Sequence, residues 1–315
     1  MTVRRRIDVH QHILPPAYAA WLRTKGVHEA GGRELPAWSA GEALAVMDQH
    51  DIATAILSVS TPGVRIDPGE RGVAEARAMA RQVNEFSAAV VRDHPGRFGF
   101  FATLTLPDVD GALAELEYAF DVLGAAGVIL LANTHGRYLG DPADEPLLAE
   151  LDRRHAVVFV HPSTLPGPTV PGVPAFAADF LLDTTRAAYR LVQSGVVRRH
   201  ANLRIILSHA GGFVPYASHR LMAALLADSG RSPADILEDL QSFYFDTALS
   251  GSPAALPSLL AFAKPGHVLF GSDWPYAPTP AVSYFTGQLD AYGALDATGH
   301  AAVDRNNAAV LFPQL

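Results

Sequence analysis

The chain has 315 residues, of which 49% are hydrophobic and 18% charged, and 24 Lys and Arg against 32 Asp and Glu leave a formal net charge of −8. This composition excludes disordered and fibrous classes, and the acidic balance lacks the basic excess that draws nucleic acid, so no nucleic-acid partner is expected. With no cysteine, a disulfide framework, thiolate metal ligands and cysteine nucleophiles are excluded together.

The basic start Arg4-Arg5-Arg6 of the N-terminal stretch from Met1 is followed at once by Asp8, His10, Gln11 and His12, so no leader core is expected there. The apolar runs are strand-length, far short of the ~20 residues that cross a bilayer; no membrane partner and a cytoplasmic location are the expectation. Along the chain, short runs rich in Val, Ile, Leu and Phe alternate with helical patterns. The expected strands are Arg5 to His12, Thr54 to Ser60, Phe98 to Leu104, Gly127 to Asn133, Val157 to Pro162, Arg204 to His209, Phe243 to Thr247 and His267 to Asp273. The helices expected between them are Gly41 to Gln49, Glu70 to Asp93, Val109 to Leu123, Pro146 to Arg154, Asp179 to Arg199, Pro215 to Leu226, Pro253 to Phe262 and Pro280 to Tyr292. Eight strands alternating with eight helices predict one α/β domain over residues 1–315, a closed (β/α)8 TIM barrel. Two insertions, Leu14 to Ala40 after the first strand and Pro162 to Pro174 after the fifth, are expected to cover the substrate.

In a parallel barrel the carboxyl ends of the strands meet at one mouth, so polar residues that end apolar strands carry the chemistry. The first strand ends Ile7-Asp8-Val9-His10-Gln11-His12, where a period of two puts His10 and His12 inward and Val9 and Gln11 outward. Strands five, six and eight end in His161, His209 and Asp273. Four imidazoles and a carboxylate suit Zn, Mn, Fe or Ni, and a catalytic site keeps one position open, so not all five need bind. His28, His50, His94, His155, His200, His219 and His300 end no strand and are read as hydrogen-bonded structural residues; His267 opens strand eight at the far end, and His135 follows strand four without an assigned role.

These residues resemble the amidohydrolase superfamily, and more closely its branch of metal-dependent decarboxylases acting on aminocarboxymuconate semialdehyde, γ-resorcylate and 6-methylsalicylate. The likeness runs over nearly the whole chain through Ile7 to Pro15, Phe159-Val160-His161-Pro162, Ser208-His209-Ala210-Gly211-Gly212 and Gly271-Ser272-Asp273-Trp274-Pro275, in family order. The 6-methylsalicylate group is suggested further by Ser60-Thr61-Pro62-Gly63-Val64, His94 to Gly99, Leu106-Pro107-Asp108 and Asp183-Thr184-Thr185-Arg186. The resemblance implies one divalent ion, zinc first and manganese next, held by His10, His12, His161 and Asp273, with His209 beside it as acid/base, in a homodimer. Two departures stand out: Glu42 to Val46 lacks the cation that semialdehyde-type members carry before Met47-Asp48, and His10-x-His12 with Gly211-Gly212 replaces the resorcylate-type Glu-x-His and Gly-Glu.

What such a site could do is decarboxylate a small hydroxybenzoate, the ion chelating the carboxylate and the ortho oxygen. Asp273 or a water at the ion would carry the proton, oriented by His209. Trp274, Tyr276, Phe213 and Trp38 follow catalytic strands and are expected to sandwich the ring, with Arg220 pairing a substrate oxygen and Arg186 in a structural ion pair. Two other readings compete: hydrolysis of an amide, ester or lactone by water activated at the ion, and a non-catalytic barrel, which would have lost its ligands. Val128 to Asn133 contains no Lys to bridge a second ion, so a mononuclear site is expected.

Overall fold

A computed structural model describes residues 4–315; Met1, Thr2 and Val3, the first residues of the stretch read as too polar for a leader, lie outside the described residues. Eight parallel strands lie in chain order: β1 Arg6–His12, β2 Ile52–Ser58, β3 Phe98–Thr103, β4 Gly127–Leu131, β5 Val157–His161, β6 Arg204–Leu207, β7 Tyr244–Asp246 and β8 Val268–Leu269. Parallel neighbours require a crossover, and helices provide it. The sheet closes where the chain beyond β8 pairs with β1, through Val9 N–H to Phe270 O (3.0 Å), His12 N–H to Trp274 O (2.7 Å) and Asp273 N–H to His10 O (2.7 Å). The result is the expected (β/α)8 barrel.

Each strand divides its side chains between two layers. Ile56, Phe101, Ile129, Phe159, Ile206 and Leu269 fill the lower barrel with Ile7 and Val9, while Ala55, Leu57, Phe100, Leu130, Val160 and Phe245 face the helices. Val9 is therefore inward, contrary to the simple alternation. The reason is local: the steps from Asp8 to Gln11 oppose only Ala55 to Leu57 on β2, a bulge that resets parity. Ile7 and Val9 can thus fill the core below while His10 and His12 face the mouth above.

The helices are α1 Pro16–Thr24, α2 Ala40–Gln49, α3 Glu70–Asp93, α4 Val109–Asp121, α5 Glu145–Arg153, α6 Asp179–Gln193, α7 Val196–Arg199, α8 Val214–Ser229, α9 Pro233–Gln241, α10 Leu256–Phe262, α11 Thr279–Asp290, α12 Ala297–Ala301 and α13 Asn307–Leu311. In α3 the buried Ala76, Met79, Ala80, Val83, Ser87 and Val90 recur at helical spacing, the stripe that packs on the barrel. The single helix expected from Asp179 to Arg199 is broken instead, because Gly195 adopts φ +75° and closes α6 as glycine does at helix ends. Helices α1, α9, α12 and α13 were not anticipated; α9 begins at Ser232, whose hydroxyl accepts from Asp235 N–H (3.1 Å).

At the amino end of the strands Arg6 is buried. Its Nε donates to Asp304 Oδ1 (2.9 Å), its Nη1 to His50 O (2.6 Å), and it also pairs with Asp290. Removing one member of a buried ion pair leaves the other uncompensated. Arg6→Ala should therefore lower the unfolding free energy by about 3 kcal/mol, read as a reduced urea midpoint.

Candidate active site

The site is assembled from the carboxyl ends of β1, β5, β6, β7 and β8. His10 Nε2 lies 3.1 Å from His12 Nε2 and 3.2 Å from Asp273 Oδ1, and His12 Nε2 lies 3.1 Å from the same oxygen. His10, His161, His209 and Asp273 offer ligand atoms all within 4.8 Å of one another, and every one of these side chains is buried. All five residues singled out in the sequence thus converge. The tightest mutual group includes His209 in place of His12, but the two short distances of His12, to His10 and to Asp273, put it in the same cluster.

The opposite ring nitrogens explain why they converge. His10 Nδ1 meets Asp246 Oδ2 (2.7 Å), His12 Nδ1 meets Ser58 O (3.1 Å), His161 Nδ1 meets Pro162 O (2.8 Å) and His209 Nδ1 meets Ala248 O (3.2 Å). Carbonyls and an ionised carboxylate only accept, so each Nδ1 carries the hydrogen and each Nε2 lone pair faces the centre. The lone pairs of His10 and His12 and the Asp273 oxygen therefore stand about 3 Å apart with nothing to donate between them, an arrangement that repels unless a cation is shared. Ligand atoms on one ion at ~2.1 Å have this spacing. Without an ion a proton must substitute: burial works against charging His10, yet Asp246 and Asp273 overcome it and raise its pKa to about 10. Burial keeps His12, His161 and His209 below the ordinary imidazole value, neighbouring imidazoles adding to the effect at His161; neutral imidazole is the form that ligates. Although burial opposes it, the direct contacts with His10 and His12 hold the Asp273 carboxyl well below the usual carboxylate range. The donor set fits a divalent ion.

Backbone geometry supports these side chains at a cost. His209 and Asp273 sit at φ +53° and +62°, the left-handed region where non-glycine residues are strained and which concentrates at functional sites. Gly271 lets the chain pass: a Cβ there would lie 2.9 Å from His10 Cβ.

Above the donors opens a cavity of about 380 Å³, lined by His161, His209, Asp273 and Tyr276 and walled by Phe176, Phe180 and Phe285. Tyr276 stands edge-on to His12 at 5.2 Å between ring centroids, and burial raises its pKa, Asp273 adding to the effect. Of the residues expected to sandwich a ring, only Tyr276 reaches this wall. Trp274 is buried and lines a separate cleft with Pro36 and Val46. Trp38 packs against Phe86 at 6.1 Å. Phe213 is 39% exposed at the start of α8, and Arg220 is exposed on that helix. His135 is exposed at the tip of a short hairpin. The reason is geometric: the chain after β6 turns outward into α8, and after β8 Asp273 and Tyr276 face the cavity while Trp274 packs away from it. The aromatic wall comes instead from the insertion after β5 and from α6 and α11.

Asp246 had no role assigned from the sequence. Its Oδ1 accepts from the backbone N–H groups of His209 and Ala248 (2.9 Å each) while Oδ2 holds His10. An acid at the end of a seventh apolar strand was the signal that could have found it.

The fold and its donor cluster define a metal-dependent barrel enzyme. The profile of the amidohydrolase family matches residues 7–314. A 6-methylsalicylic acid decarboxylase of Penicillium expansum is 41% identical, covering 98% of this chain and 97% of its own length. A solved amidohydrolase II superposes with a TM-score of 0.91 at 28% identity, over 98% of this chain and 100% of the other. A dihydroxybenzoic acid decarboxylase of a Polaromonas strain, solved with manganese and 2-nitroresorcinol, shares the fold at a TM-score of 0.78 and 24% identity, over 98% and 96% of the two chains. The chain belongs to the amidohydrolase family, in its decarboxylase branch. Among the described residues no helix is long and apolar enough to cross a membrane.

Proposed function

We propose that this protein is a metal-dependent, non-oxidative decarboxylase of a small hydroxybenzoate, with a 6-methylsalicylate-type acid as substrate. The carrying observation is the convergence of five buried donors at the floor of an aromatic-walled cavity. His10, His12, His161 and Asp273 would hold one divalent ion, zinc by the imidazole-rich donor set and manganese by analogy with the Polaromonas protein. Bound there, the ion supplies Lewis-acid stabilisation of charge developing on the substrate oxygens.

The chain's own residues do the rest. Phe176, Phe180 and Phe285 bound a space suited to a flat ring, and Tyr276, kept protonated, offers its hydroxyl as a donor. The reaction requires a proton on the ring carbon that bears the carboxylate; the carbon–carbon bond then breaks, its electron pair restores the aromatic ring, and carbon dioxide leaves. Asp273 and His209 both line the cavity and are the groups that move this proton. His209 is the orienting member, its ring fixed by Ala248 O.

A proton NMR time course in deuterated water, with the metal-loaded protein and 6-methylsalicylate, salicylate and γ-resorcylate, tests the reading. One deuterium should appear at the carbon that lost carboxylate. Survival of all three acids alongside cleavage of an ester or lactone panel would sink it. Metal analysis of the purified protein distinguishes zinc from manganese.

A further inference from the structure

We propose that Arg33 is the residue that captures the anionic substrate and sets the preference of this site for acids over neutral aromatics, a role that rests on the decarboxylase reading. It belongs to a hairpin formed by Glu29–Ala30 and Arg33–Glu34 within the insertion after β1. The hairpin is docked on the segment that follows β5. Phe176 N–H donates to Gly31 O (3.0 Å), and the approach is so close that a Cβ on Gly31, at φ +62°, would lie 2.7 Å from the Phe180 ring. Two insertions thus meet as one cap, and its inner side reaches the cavity through Ala30, Arg33, Phe176 and Ala177.

Arg33 is the only Lys or Arg among the described residues that line this cavity. Its guanidinium carbon stands 4.6 Å over the centroid of Phe176, a stacking that orients the head without neutralising it. Two other guanidiniums, those of Arg77 and Arg137, are matched with acids, Asp108 and Asp144. Arg33, by contrast, is in no salt bridge or side-chain hydrogen bond among the described residues. Among the described residues that line the cavity the one carboxylate is Asp273, and it is already in contact with His10 and His12. A stacked, unneutralised cation at the mouth of an apolar cavity raises the local concentration of anions and favours them over uncharged rings of the same shape.

The test compares the metal-loaded wild type, Arg33→Gln and Arg33→Lys by calorimetric binding of benzoate and of its neutral counterpart benzamide, alongside steady-state kinetics with 6-methylsalicylate. In Arg33→Gln the preference for benzoate over benzamide should narrow roughly tenfold. KM should rise by a similar factor, with the loss confined to kcat/KM, and the decline of kcat/KM with added salt should flatten. Arg33→Lys should recover much of the preference. An unchanged preference, or equal weakening of benzoate and benzamide as expected of a merely structural cap, would overturn the assignment. If the wild type prefers benzoate through Arg33 yet turns over no hydroxybenzoate, the capture role stands and the decarboxylase reading falls.

Discussion

Asp246→Asn is expected to lower metal affinity by about 10- to 100-fold, with activity falling in step at limiting metal. A carboxylate offers two accepting oxygens, and this one uses both: Oδ1 takes two backbone N–H groups and Oδ2 takes His10 Nδ1–H. Asparagine has a single acceptor. If its oxygen keeps the backbone groups, its NH2 faces His10, which must move its hydrogen to Nε2 and lose the lone pair that ligates. If its oxygen instead keeps His10, two buried N–H groups beside His209 lose their acceptor, at about 1–3 kcal/mol each. Either arrangement damages the centre without touching the ion's own ligands. Titration of the apoprotein with zinc and with manganese, followed by calorimetry, checks it; wild-type affinity in the variant would show that His10 does not depend on this partner.

The legible part of this protein is the part governed by short-range patterning. All eight strands fall within or across the short, mostly apolar runs expected for them, and His10, His12, His161, His209 and Asp273 are conspicuous because polar side chains end such runs. Two kinds of information were hidden. One is parity within a strand: the bulge between Asp8 and Gln11 is set by pairing with β2, which no residue of β1 announces, so Val9 was placed on the wrong face. The other is the course of loops after the strands. Trp274 and Trp38 have the size and hydrophobicity of ring-stacking residues, but the same properties suit them to packing, and tertiary contacts assign them there. Phe176, Phe180 and Phe285, which do wall the cavity, lie in segments whose positions follow from how the cap and the outer helices dock. Asp246 was passed over because it lay inside the expected strand Phe243 to Thr247, while the groups that give it a role, His10 Nδ1 and the His209 N–H, come from other strands.

His209→Asn should reduce kcat by about 10²- to 10⁴-fold while metal content stays near that of the wild type. The imidazole is held through Nδ1 by Ala248 O at 3.2 Å, and an asparagine amide can replace that hydrogen bond, so the fold around it should persist. What the amide cannot do is gain and lose a proton near neutral pH. Burial lowers the His209 pKa, leaving the resting ring neutral and able to accept. Because His209 also stands within 4.8 Å of the other ligand atoms, the two readouts have to be taken together. Loss of turnover with full metal assigns His209 to proton movement beside Asp273. Loss of metal with proportionate loss of turnover makes it a ligand instead, and the proton would then have to travel through Asp273 without it.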